Sequence, residues 1–197
     1  VMDMYYMQNT GADFLKENVW NYNGQLMAAV ASGIKKVDPD AKFATHIAGL
    51  FDPYFCETYF QTLEENGMVL DQAGMSVYPT SDMATYNPQY MDMVKNSITA
   101  IVTECNLPVF IAEYGYPSEE LTGAYQNWNT APVGYDISEG SQALYTEEFI
   151  DWCKSHGVSG IRLWGPDVLG DWEPMSLFEY DEETKTATAK QIFYIFH

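Results

Sequence analysis

Val109-Phe-Ile-Ala-Glu-Tyr-Gly-Tyr-Pro117 decides how this chain is read. Four apolar residues, Val109 to Ala112, give the near-continuous hydrophobic run of a parallel strand covered on both faces. The run then delivers one carboxylate, Glu113, at its C-terminal end, followed by Tyr114, Gly115, Tyr116 and Pro117. Burying an ionised carboxylate costs several kcal/mol, as a rough figure, unless it is paired or hydrogen-bonded, so an acid in this place is usually kept for chemistry. The plainer alternative is a carboxylate that caps a loop or pairs with a lysine.

Outward from that strand, short apolar runs alternate with longer helical patterns, which predicts parallel strands joined by helical crossovers. The strands are predicted at Met2 to Met7, Phe43 to Ile47, Gly74 to Tyr78, Val109 onward and Gly160 to Trp164. Between them lie helices from about Asn23 to Val37, Tyr54 to Glu65, Pro88 to Cys105 and Gly140 to His156, and a short helix from Thr188 to Phe196 closes the chain. Leu26, Val30, Ile34 and Val37 form the stripe expected to bury the first helix, and Met91, Val94, Ile98 and Ile101 that of the third. Ser118 to Glu139 reads as a long polar connection.

A doubly wound sheet competes with a (β/α)₈ barrel for this pattern. The former usually carries a glycine-rich phosphate loop after its first strand, and none is present. Instead, Asn9, His46, Tyr78, Glu113 and Trp164 sit at the ends of successive strands, the face from which barrel enzymes build their sites. The expected fold is therefore α/β, a TIM-barrel-type domain spanning 1–197 but partial.

Composition narrows the partners. With 28 acidic against 9 basic residues, a net charge of −19 repels phosphate backbones and anionic lipid, which argues against nucleic acid and membrane surfaces and suits a neutral substrate. Cys56, Cys105 and Cys153 show no paired spacing, and His46, His156 and His197 none that suggests a metal site. No cofactor is expected. Asp136, Asp167, Asp171 and Asp181 lie in long loops where oxygen ligands could hold calcium, but solvated loop acids are the better account of their irregular spacing.

The segments GMSVYP (Gly74 to Pro79), VFIAEYGYP and GIRLWGPD (Gly160 to Asp167), with the tail WEPMSLFEYDEETKTATAKQIFYIF, resemble the last strands of the endo-β-1,4-galactanases, glycoside hydrolase family 53. NGQLMAAVASGIKKVDPDAK and FATHIAG resemble that family's fourth helix and fifth strand, so the likeness covers its fourth to eighth βα units and leaves the first three without a counterpart. It implies a retaining (β/α)₈ glycosidase, secreted or at the cell surface, acting on β-linked galactan or a related plant polysaccharide. By resemblance Glu113 is the catalytic nucleophile, Tyr78 its hydrogen-bond donor, Trp164 the platform for the sugar that is cleaved, and His46 and Asn9 substrate contacts.

Two positions depart from the family pattern. A retaining mechanism needs a second carboxylic acid roughly 5–5.5 Å from the first, and in the family this glutamate follows the asparagine matched by Asn9. Here Thr10 stands in its place, or Asn9 if the alignment is shifted by one residue; neither is an acid, and a hydroxyl is too weak to protonate a leaving oxygen. Asp13 and Glu17 lie a few residues on. The second departure is Gly165, where the family usually has a glutamate after the tryptophan. An inactive relative that keeps the sugar cleft and binds glycan is thus one alternative, and a barrel-derived structural or assembly domain another. Five strands cannot close a barrel, so the open edge is expected to be covered by a missing N-terminal segment or by a second copy, with the match at His197 favouring loss on the N-terminal side.

Overall fold

The structure, a computed structural model, describes residues 11–48 and 52–196. The strand predicted at Met2 to Met7 lies outside these residues, as do Asn9 and Thr10. In chain order the elements are helix α1 (Ala12–Leu15), a π-helical stretch (Lys16–Trp20), α2 (Asn21–Lys35), β1 (Ala44–Ile47), α3 (Pro53–Glu65) and β2 (Gln72–Val77). Next come α4 (Asp82–Tyr86), α5 (Tyr90–Glu104), β3 (Val109–Tyr114), α6 (Glu139–Ser155) and β4 (Val158–Leu163), and last a hairpin of β5 (Phe178–Asp181) and β6 (Thr186–Ala189). Short 3₁₀ turns occupy Gly123–Tyr125, Gly170–Met175 and Gln191–Ile195.

Strands β1 to β4 form one parallel sheet in the order β1-β2-β3-β4, the α/β arrangement of a TIM-type barrel wall. Sequence order and spatial order coincide, as they must when each crossover steps to the next position in a barrel. The chain divides into two compact units whose boundary falls within β2, β3 and β4: 1–76, 92–110 and 156–159 form the first, and 77–91, 111–155 and 160–197 the second.

In the first unit β1 and β2 run parallel in the register Ala44↔Gln72 to Ile47↔Met75. The helix α3 starts where Asp52 accepts from the backbone N–H groups of Tyr54 (2.8 Å) and Phe55 (3.4 Å) with Pro53 at its first position, a cap worth about 1 kcal/mol. The Trp20 ring meets Phe55 and Tyr59 edge-on, at 4.9 and 5.3 Å between centroids. Gly24 lets α2 lie against the end of α3, since a Cβ there would come within 2.8 Å of the Asn66 Cβ. Asn66 completes the joint by donating to Asn21 and accepting from Gln25. Of the third helix's stripe, Val94, Ile98 and Ile101 are fully buried.

One predicted core face is not a core face here. Leu26, Val30, Ile34 and Val37 are all exposed, Val37 to 90%. The helix α2 packs through Asn21, Gly24 and Gln25 instead, next to Trp20 of the preceding π-helical stretch, so its contact is made by a small residue and amides rather than by the apolar stripe.

In the second unit the ring of Tyr114 stacks on Phe149 of α6 at 5.5 Å, and its hydroxyl pairs with that of Thr146 at 3.1 Å. Buried Gln142, also on α6, donates to the carbonyls of Tyr116 (2.8 Å) and Pro174 (3.0 Å). Leu144, on the same helix, is half exposed. The closing helix predicted over Thr188 to Phe196 is corrected: Thr186–Ala189 is strand β6, paired antiparallel with β5, and only Gln191–Ile195 turns, as 3₁₀. The run Thr186-Ala-Thr-Ala189 has the β-branched alternation of a strand, and the preceding Lys185 takes φ +57° in the turn. Cys56 and Cys153 are buried free thiols, whereas Cys105 is half exposed just past α5. Burial pushes the Cys56 thiol up to about 12. Among the described residues no helix is long and apolar enough to cross a membrane.

Candidate active site

Three strand ends supply the site, and all three lie in the second unit. Tyr78 follows β2 directly, Glu113 is the next-to-last residue of β3, and Trp164 follows β4. Successive side chains of a strand point to opposite faces. Because Tyr114 is turned onto α6, its neighbour Glu113 faces the other side of the sheet, where it is half-buried.

There the Tyr78 hydroxyl donates to Glu113 Oε2 at 2.9 Å. Burial first, then the charge and hydrogen bond of Glu113, push the Tyr78 phenol far above its ordinary value. Tyr78 is therefore a proton-bearing donor throughout the neutral range, and Glu113 the acceptor. Gly115 makes the approach feasible: a Cβ there would stand 2.9 Å from the Met175 sulfur and 3.3 Å from the Tyr78 ring.

Trp164 is tied to the same place by backbone, its N–H donating to the Tyr114 carbonyl at 3.0 Å. Its ring is 41% exposed, while its own carbonyl accepts from the Trp172 indole at 3.1 Å. Trp172, buried, is the hub of the site. Its ring lies edge-on to Trp164 (4.7 Å), Tyr125 (4.6 Å), Trp128 (5.8 Å) and Tyr78 (5.9 Å). With Leu121 and Met175 it forms a small core against which Tyr78, Tyr125, Trp128 and Val168 pack. Edge-to-face pairs of this kind contribute roughly 0.5–1.5 kcal/mol each beyond their area, so the platform is rigid as well as apolar.

Trp172, Trp128 and Tyr125 were not singled out in the sequence, because they fall in segments read as polar loops. The signal was available in the density of aromatic residues there, Tyr125 and Trp128 in one loop and Trp164 and Trp172 in the other. Gly165, by contrast, gains a reason. Its φ is +66°, and a Cβ would approach Val168 to 2.8 Å and the Trp172 ring to 3.0 Å. A glutamate side chain cannot occupy that position without displacing the hub. Gly165→Ala is accordingly expected to cost about 1–3 kcal/mol, read as a lower midpoint in urea denaturation; an unchanged midpoint would mean that the loop relaxes freely.

His46 sits on β1 in the first unit, opposite Gly74 in register, and a Cβ on Gly74 would come within 2.5 Å of the His46 Cβ. Asn9 and Thr10 fall outside the described residues. Asp136 accepts from the hydroxyls of Ser138 and Ser141, which hold its carboxyl below the usual range, and Asp181 is held low in the same way by the backbone and hydroxyl of Thr184 and the backbone of Glu183. Both acids thus close turns. Among the described residues no group of three or more His, Cys, Asp or Glu side chains is arranged to hold a metal.

A carboxylate oriented by a phenol, at a strand end beside an exposed indole and a wall of aromatic rings, is suited to attack on a carbon held in a flat, hydroxylated ring. Comparison with known proteins gives a family and a fold. The family model described as Glycosyl hydrolase family 53 matches residues 4–192. A solved structure of a fungal β-1,4-galactanase is similar with a TM-score of 0.70 at 20% identity, over 91% of this chain and 55% of that one. The catalytic domain of an Ignisphaera aggregans protein of the same family is similar with a TM-score of 0.63 at 21% identity, over 77% of this chain and 46% of that one. A glucosidase from Croceicoccus marinus shares the fold more distantly, with a TM-score of 0.53 at 16% identity, over 86% of this chain and 33% of that one. The chain thus spans about half the length of the family structures it matches. No curated protein matches the sequence.

Proposed function

The chain belongs to glycosyl hydrolase family 53, and from that premise we propose that it carries the nucleophile half of a retaining glycosidase site for β-1,4-galactan or a related neutral polysaccharide. The observation that carries the reading is the Tyr78–Glu113 hydrogen bond at the strand ends, beside the exposed ring of Trp164. In this reading a galactosyl ring stacks on Trp164 and Glu113 attacks its anomeric carbon. An ester forms between Glu113 and the sugar as the glycosidic bond breaks, the leaving oxygen takes a proton from a second carboxylic acid, for which Asp13 and Glu17 are the candidates in this chain, and water then cleaves the ester. Tyr78 holds one carboxylate oxygen so that the other is free to attack. His46 and Asn9 are further substrate contacts, the acidic surface favours an uncharged glycan, no cofactor is needed, and the work is done outside the cell. The exposed stripe of α2 offers an apolar face for the remainder of a barrel to cover, whether that is preceding chain or a second copy.

A second reading has support of its own. By resemblance Thr10 takes the place of the family's general acid, and on that ground the chain is a glycan-binding relative that retains the sugar cleft and has lost proton donation. Release of new reducing ends from β-1,4-galactan, with β-1,4-xylan and cellulose as controls, separates the two: turnover of galactan supports the hydrolase, and binding without turnover the glycan-binding relative. Within the hydrolase reading, Tyr78→Phe keeps the ring packing and removes the donor, so kcat on galactan is expected to fall about 10- to 100-fold with binding nearly unchanged. An unaltered kcat would remove Tyr78 from the site.

A further inference from the structure

A second cleft lies in the same unit, with a volume of about 320 Å³. Asp82, Thr85 and Tyr86 of α4 form one wall, and Gln126, Asn127 and Thr130 of the loop after β3 form the other. The walls are pinned together by the Thr130 N–H donating to the Thr80 carbonyl at 3.2 Å and by a hydrogen bond between the hydroxyls of Thr85 and Thr130. Asn129, which also lines the cleft, is spent on the loop itself: its amide accepts from Leu121 N–H (2.8 Å) and donates to the Leu121 carbonyl (2.9 Å). The backbone of the loop is thereby tied, and it presents the exposed side chains of Gln126 and Asn127 to the cleft.

Those groups are unspent. The side-chain amides of Gln126 and Asn127 and the hydroxyl of Tyr86 make no hydrogen bond among the described residues, and Tyr86 is 82% exposed. Unpaired amide donors and acceptors beside a flat exposed ring are the complement of a sugar, which offers hydroxyls at its rim and C–H groups on its face. Among the described residues no Lys or Arg lines the cleft, and Asp82 does. A phosphate, sulfate or uronate therefore finds no counter-charge and one repelling carboxylate, whereas a neutral glycan loses nothing.

The cleft also adjoins the carboxylate site. Asn127 and Asn129 flank Trp128, whose ring packs against Tyr78 at 5.0 Å, and Tyr78 is the residue bonded to Glu113. From this we infer that the cleft is an additional glycan subsite, taking a sugar unit of the same neutral chain at a distance from the unit attacked, with Tyr86 as its stacking ring. The identity of the chain rests on the galactanase reading, and the neutral-sugar chemistry of the cleft does not.

The test is an NMR titration of the full chain, isotopically labelled, with β-1,4-galactotetraose. The expected result is that the Trp164 indole and the side-chain amides of Gln126 and Asn127 shift together. Tyr86→Ala, an exposed position whose loss leaves the core untouched, should weaken the tetraose about three- to tenfold, the worth of one stacking contact. Shifts at Trp164 alone, with no effect of Tyr86→Ala, would overturn the subsite and leave the active-site reading standing. Shifts at Gln126 and Asn127 alone would uphold the subsite and overturn the reading of Glu113. No shift at either place would overturn both.

Discussion

Glu113→Gln is expected to lower the hydrolysis of β-1,4-galactan by at least about a thousandfold while changing oligosaccharide affinity by less than about threefold. The amide keeps the shape of the carboxylate and can still meet the Tyr78 hydroxyl, so the aromatic surround built on Trp172 has no cause to rearrange. What it loses is the anionic oxygen that forms the bond to the anomeric carbon. In the proposed reading affinity is carried by stacking on Trp164 and by hydroxyl contacts, none of which involves that charge. Equal loss of binding and turnover would point to a structural role for Glu113, and undiminished turnover would remove it from the reaction altogether.

The second large effect is expected at Thr10. If this threonine stands where the family has its acid, Thr10→Glu should raise hydrolysis of galactan by about 100- to 10,000-fold, the usual worth of a positioned acid–base group. The same change should matter far less for an aryl galactoside whose leaving group departs without a proton. Both substrates and both variants need to be compared in a polypeptide carrying all eight barrel strands. If the natural chain handles both substrates equally well and gains nothing from Thr10→Glu, another acid such as Asp13 or Glu17 supplies the proton, and the pairing of Thr10 with the family's glutamate is mistaken.

How much of this was legible beforehand follows from where the information resides. Parallel strands announce themselves, because a run such as Val109 to Ala112 must be apolar whichever neighbour it has. The residues at strand ends were legible for the same reason: once a strand is placed, the residue after it is at the rim, and Tyr78, Glu113 and Trp164 followed. Helix faces were less reliable. The stripe of α2 is apolar by period, yet its described contacts run through Gly24 and the amides of Asn21, Gln25 and Asn66, and nothing in a hydrophobic pattern marks a glycine as the point of closest approach. The loops were least legible. Trp172 collects rings from Tyr78, Tyr125, Trp128 and Trp164, four residues spread over 87 positions, and such a cluster exists only once the strands have brought their ends together. The hairpin of β5 and β6 was overlooked because a two-stranded ribbon carries no buried run of its own.

The central claim is that Glu113 forms a covalent bond with a galactosyl unit. It is tested most directly by exposing the protein to an activated 2-deoxy-2-fluoro-β-galactoside, whose glycosyl-enzyme ester turns over slowly, and locating the adduct by peptide mass spectrometry. The account predicts one fluorogalactosyl group, on the peptide that contains Glu113 and absent from Glu113→Gln. A label on any other carboxylate, or a label that survives Glu113→Gln, would contradict it.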